Sequence, residues 1–127
     1  MADDAIWSKE FIRLATVDEA PEDSMLAVST FYWEVAIIRW KGKYYAFNRS
    51  CPHIGGEIVQ QGVLSEPDVH CNSHGYHYDF RTGESTWPAG EEQLQMFPVR
   101  VSGDYIEVEL PVVSIRLPSV PSGRDVA

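Results

Sequence analysis

Two short pieces of this chain each pair a thiol with an imidazole: Cys51-Pro52-His53 and, after residues 54–70, Cys71-Asn72-Ser73-His74. They hold both cysteines of the protein and two of its four histidines. The spacings C-x-H and C-x-x-H give each of two loops one soft sulfur and one borderline nitrogen, a donor set for a transition metal. Whatever fold the chain adopts must bring both loops to one site. Gly55 and Gly56 follow the first of these histidines and Gly75 the second, where glycine lets the backbone turn sharply and bring its N–H groups close to metal-bound sulfur. Two chemistries fit four such ligands. One is tetrahedral zinc; the other is an iron–sulfur cluster with two thiolates on one iron and two imidazoles on the other. Zinc fingers pair like with like, C-x-x-C and then H-x-x-x-H. Each half here mixes the two types, which favours the cluster.

The wider pattern, C-P-H-x-G-G at 51–56 and C-x-x-H-G-Y-x-Y-D-x-R-T-G at 71–83, resembles the Rieske-type 2Fe-2S ferredoxins of bacterial multicomponent, ring-hydroxylating oxygenase systems. The resemblance runs from about Lys43 to Leu110, roughly half the chain. It implies that Cys51 and Cys71 bind one iron of a Rieske cluster and His53 and His74 the other. It also implies that Trp87-Pro88-Ala89-Gly90 is a third loop covering the cluster. The implied role is that of a one-electron carrier rather than an enzyme, docking transiently as a monomer between a flavin-dependent ferredoxin reductase and a terminal oxygenase. In high-potential relatives a Ser and a Tyr, two and four residues after the second ligand His, donate hydrogen bonds to sulfur. Here those positions are Tyr76 and Tyr78, so only the second donor is retained. Two rival functions remain open: a Rieske-type small subunit of a larger reductase, such as nitrite reductase, and a zinc-stabilised interaction module.

Composition narrows the setting. With 127 residues, a single domain spanning 1–127 is expected. No apolar run approaches the ~20 residues of a membrane span, and Met1-Ala2-Asp3-Asp4 lacks the start of a secretory signal; a cytoplasmic protein is expected. Rieske proteins of respiratory and photosynthetic membranes carry two further cysteines in a disulfide between the cluster loops. This chain has only two cysteines, as suits a reducing compartment. Its 10 basic and 19 acidic residues give a formal charge of −9, which repels phosphate backbones and excludes nucleic acid as a partner. The same charge suits steering toward basic patches on redox proteins.

Alternation of apolar and polar residues, with no sustained helical period, predicts an all-β protein. The resemblance implies the Rieske iron-sulfur fold, in which an antiparallel, sandwich-like base from 11–48 and 91–110 carries an inserted cluster-binding subdomain at about 50–90. Strands are expected at Phe11–Ala15 and Met25–Val28. A hairpin is expected from Trp33–Trp40 through Lys41-Gly42-Lys43 to Tyr44–Phe47. Val63-Leu64 and Val69-His70 read as a small hairpin between the ligand loops, followed by a strand at Tyr76–Phe80. A final hairpin joins Gln95–Val101 to Tyr105–Leu110. Residues 1–10 read as frayed apart from Trp7, and 111–127, with Pro111, Pro118, Pro121 and Gly123, as an extended tail. His70 and His77 read as surface or supporting residues. One strand cannot wrap His77, Asp79 and a second His around a single iron, so an oxygenase triad is excluded.

Overall fold

The computed structural model describes residues 5–52, 56–60, 66–73 and 75–115. The chain runs through β1 (Ala5–Thr16), a 3-10 turn (Val17–Glu19), β2 (Ser24–Ser29), β3 (Glu34–Trp40) and β4 (Lys43–Asn48). The middle of the chain forms β5 (Ile58–Val59), β6 (Asp68–Cys71), β7 (His77–Asp79), β8 (Glu84–Trp87) and β9 (Ala89–Gln93). It returns through β10 (Met96–Phe97), β11 (Val99–Ser102) and β12 (Tyr105–Ile115). Three sheets result, in the orders β1-β12-β11, β10-β4-β3-β2 and β5-β6-β7-β8-β9. Every pairing between these strands is antiparallel. The all-β expectation holds: the first two sheets form the base, and the third gathers the strands between Ile58 and Gln93.

β3 sits between two cores. Val35, Ala36, Ile37 and Ile38 are all fully buried, the continuous apolar run of a strand covered on both faces. Because side chains alternate along a strand, Val35 and Ile37 pack with Ala46, Phe97, Ile106 and Val108 of the base. Ala36, Ile38 and Trp40 pack with Phe47, Cys51, Cys71, Tyr78 and Phe80 on the other side. The β3–β4 hairpin closes through Lys41 and Gly42, at φ +52° and +77°, the backbone of a tight two-residue hairpin turn. One side of the hairpin thus forms the floor of the half that holds both cysteines.

The ends of the chain differ from expectation. β1 begins at Ala5 rather than Phe11, and β12 runs on to Ile115, pairing Ala5–Lys9 with Pro111–Ile115. Pro111 does not break this ribbon. Its carbonyl accepts a 3.0 Å hydrogen bond from Trp33 Nε1, and a strand residue's nitrogen points the same way as its carbonyl. The proline nitrogen therefore faces away from β1, and no bond of that ladder is lost. The rest of the expected tail, residues 116–127, lies outside the described residues. The expected strand Gln95–Val101 is split at Pro98: Met96-Phe97 pair with Ala46-Phe47 of β4, and Val99–Ser102 cross to β12. Val63-Leu64 also lie outside the described residues; Asp68–Cys71 pairs instead with β5 on one side and β7 on the other. The base is tied across its sheet by Glu107, 6% exposed. It receives Arg100 at 2.7 Å and Arg13 at 3.2 Å from the flanking strands, and these guanidiniums, Arg100 foremost, hold its carboxyl below the usual carboxylate range.

Candidate metal centre

Each of the two loops expected to carry ligands is closed by its own backbone. The Cys51 N–H donates to Gly56 O at 2.7 Å, and the Cys71 N–H to Tyr76 O at 2.8 Å. The loops are also stitched to one another. Asn72 N–H donates to Glu57 O at 2.9 Å, Glu57 N–H donates to the Asn72 side-chain oxygen at 3.1 Å, and Ile58 pairs with Cys71 in the β5–β6 register. Arg49 fastens the first loop to the end of β4, its Nε donating to Ile58 O at 3.1 Å and its carbonyl accepting the Ile58 N–H at 2.8 Å. Asn72 and Arg49 were not legible as positioning residues in the sequence, since neither belongs to the ligand pattern.

Neither cysteine is in a disulfide; both are buried, 3% and 1% exposed, and sit in the core shared with Ile58, Val69 and Tyr78. The Tyr78 hydroxyl lies 3.6 Å from Cys51 Sγ, and the Ser73 N–H donates to Cys71 Sγ at 3.5 Å. Burial first, and then the hydrogen bond to Cys51, push the Tyr78 hydroxyl pKa up, so Tyr78 stays protonated and available as a donor. The first loop comes so close to the second that a Cβ at Gly56 would stand 2.9 Å from Cys71 Sγ and closer still to Ser73 Oγ. Two buried sulfurs, each met by a hydrogen-bond donor and one crowded by glycine backbone, fit a centre bound through thiolates. His53 and His74 lie outside the described residues. Among those described, no group of three or more His, Cys, Asp or Glu side chains is placed to hold a metal ion.

The third loop is fastened from within. Ser85, 2% exposed, donates through Oγ to Pro88 O at 2.8 Å and accepts the N–H groups of Glu91 and Glu92 at 2.8 and 2.9 Å. A buried hydroxyl with three bonds holds the turn around the cis Trp87-Pro88 bond in one shape. Trp87 itself is 60% exposed, edge-on to Tyr76 of the second ligand loop with ring centroids 6.4 Å apart. An aromatic surface therefore stands beside that loop.

The chain is similar to known proteins in sequence and in fold. Residues 10–98 match the family model described as the Rieske [2Fe-2S] domain. Over 99 residues the chain is 30% identical to the biphenyl dioxygenase ferredoxin subunit of Pseudomonas sp. (strain KKS102), covering 78% of this chain and 91% of that protein. Among solved structures, the ferredoxin of carbazole 1,9a-dioxygenase from Nocardioides aromaticivorans IC177 superposes with a TM-score of 0.66 at 25% identity, over 77% of this chain and 95% of that one. A chain from a complex of reduced oxygenase and oxidized ferredoxin in carbazole 1,9a-dioxygenase shares the fold, with a TM-score of 0.67 at 19% identity over 77% of this chain and 91% of that chain.

Proposed function

Because this chain belongs to the Rieske 2Fe-2S domain family, we propose that it carries single electrons from a flavin-dependent reductase to the terminal oxygenase of a multicomponent oxygenase system. Its cofactor is a Rieske-type 2Fe-2S cluster, which takes up and gives back one electron between two irons, one held by thiolates and one by imidazoles. The ligands in this reading are Cys51 and Cys71 for the first iron and His53 and His74 for the second. The observation that carries it is the pair of buried, unbridged cysteines on two loops hydrogen-bonded to each other. The match to the biphenyl dioxygenase ferredoxin subunit supports the oxygenase setting. The complex of oxygenase and ferredoxin in carbazole 1,9a-dioxygenase supports the terminal partner.

The chain's own residues set the driving force and the route. Tyr78 O–H and Ser73 N–H donate to the ligand sulfurs, and such bonds strengthen as negative charge builds on sulfur. Both therefore favour the reduced state. Tyr78→Phe keeps its ring in the core but removes one donor. The expected result is an unchanged iron content and a potential about 20–60 mV lower, the equivalent of ~0.5–1.5 kcal/mol for one hydrogen bond in a one-electron couple. Protein-film voltammetry reads this directly, and an unchanged potential would show that the hydroxyl does not act on Cys51.

Docking in this reading centres on the exposed Trp87-Pro88 edge, with Glu91, whose N–H reaches Pro88 O at 3.4 Å, beside it to steer a basic partner. Trp87→Ala is expected to slow oxidation of the reduced protein by the oxygenase roughly tenfold, the weight of one interfacial aromatic. Iron content and potential should stay as they were. Raising salt should slow the second-order rate as well. Stopped-flow mixing with reductase and with oxygenase tests the whole reading: a reduced protein that passes no electron to any terminal oxygenase would overturn it. The protein is taken to act as a single domain and a monomer in the cytoplasm, where two unbridged cysteines suit the reducing conditions. Among the described residues, no helix is long and apolar enough to cross a membrane.

A further inference from the structure

The two remaining histidines lie together on one face of the five-stranded sheet. His70 of β6 and His77 of β7 are direct cross-strand partners, and directly opposed residues project from the same face of a sheet. Their neighbours in the register, Val69 and Tyr78, are fully buried toward the cysteines. The histidines therefore face away from the cluster side. Their ring centroids are 5.6 Å apart, with planes 31° from parallel. His77 Nδ1 lies 2.8 Å from Asp68 Oδ2. A carboxylate there holds the proton on Nδ1 and leaves the lone pair on Nε2, the support that metal-binding imidazoles ordinarily have. His77 and Asp68 are both partly open to solvent, so the site can be reached.

The geometry points to a surface site for one borderline divalent cation, of the zinc, nickel or cupric class, bridged between His70 and His77 and supported by Asp68. A metal lies about 2.1 Å from each ligating nitrogen and hence roughly 3.2 Å from each ring centre. At a tetrahedral angle of ~109° the two centres then stand about 5.2 Å apart, close to the separation seen. Asp79 shares this face but is taken by Arg81, which bonds it at 2.8 and 3.0 Å. The protein thus supplies two ligands and water fills the rest of the shell. Hard cations such as magnesium prefer an all-oxygen shell and are not expected there. The formal charge of −9 raises the local concentration of any cation. A bound ion would clamp together β6 and β7, the strands flanking the loop that starts at Cys71.

The test is a calorimetric titration of the cluster-loaded protein with zinc chloride, with a parallel cupric titration followed by electron paramagnetic resonance. Wild type is expected to take up one ion with its iron content and visible spectrum unchanged. His70→Gln and His77→Gln, which keep most of the side-chain volume, are expected to lose this binding. Asp68→Asn should weaken it about tenfold or more, as removal of a supporting carboxylate does. In the cupric spectra, nitrogen hyperfine structure should diminish in either His variant. Melting curves supply a second readout, because zinc should raise the Tm of wild type and not that of the two glutamine variants. Equal zinc affinity in all four proteins, the absence of binding to wild type, or uptake accompanied by loss of iron would each overturn the assignment.

Discussion

Cys51→Ser and Cys71→Ser are expected to yield colourless protein, free of both iron and acid-labile sulfide, where the wild type holds about two of each per chain. A serine oxygen is harder than a thiolate and binds less readily to the softer metals of such clusters. Both positions are almost fully enclosed, so no solvent ligand can take the place of the lost sulfur. The same loss is expected for His53→Ala and His74→Ala if these are the other two ligands, whereas His70→Ala and His77→Ala should keep the full cluster. Colorimetric iron and sulfide assays with visible absorbance decide the matter. One zinc per chain with no sulfide, in protein made under iron-replete conditions, would favour the tetrahedral zinc site instead.

The second large effect is expected from a single methyl group. In Gly56→Ala the new Cβ would run into Ser73 Oγ, with Ser73 Cβ and Cys71 Sγ at 2.9 Å. The hydroxyl can swing aside. Cys71 Sγ cannot, because its residue ends β6 and its N–H is held by Tyr76 O. Inserting a methyl where neighbours cannot yield costs about 1–3 kcal/mol. Here the strain falls on the separation of the two ligand loops, so at least about half of the cluster content should be lost. Gly75→Ala is the matched control. Gly75 has φ +74°, and among the described residues a methyl there would find nothing within 4 Å, so the expected cost is mainly backbone strain, about 1 kcal/mol, and the cluster should persist. Ser73→Gly combined with Gly56→Ala should recover only part of the loss, since Cys71 Sγ still obstructs. Equal iron content in the two alanine variants would show that the close approach at Gly56 does not govern assembly.

The fold class, and the approach of the two loops that carry Cys51 and Cys71, were legible because their signals are local: two short spacings, and strands such as β3 and β4 rich in β-branched and aromatic residues. The contact of Tyr78 with Cys51 Sγ was legible from the family resemblance for the same reason, Tyr78 sitting at a set distance along one loop. The signals that failed were those that depend on a partner far along the chain. Pro111 reads as a strand breaker until its nitrogen is seen to face away from β1. Pro98 lies inside what looks like a single alternating strand, yet it is the point where the chain leaves one sheet for another. β8 and β9, Glu84–Trp87 and Ala89–Gln93, are too polar to register as strands. Their pairing is secured by Ser85, a residue whose role lies in three bonds to a turn several positions away. The Asp68–His77 contact is diagonal across two strands, so no spacing in the sequence marks it.

Alternation along β3 has a consequence for how such a centre could be moved between proteins. The ligand loops and their five-stranded sheet lack a complete underside of their own: Ala36, Ile38 and Trp40 supply it from a strand whose other residues serve the base. Cut out at its apparent boundaries, the segment around 50–90 would present Cys51, Ile58, Val69 and Tyr78 to water. Transplantation therefore needs the β3–β4 hairpin as a foundation slab, and a recipient able to accept that hairpin's second apolar surface. Such shared masonry also couples inheritance on the two sides: a change at Ile37 that suits the base must leave the pitch of Ile38 intact beneath the cysteines.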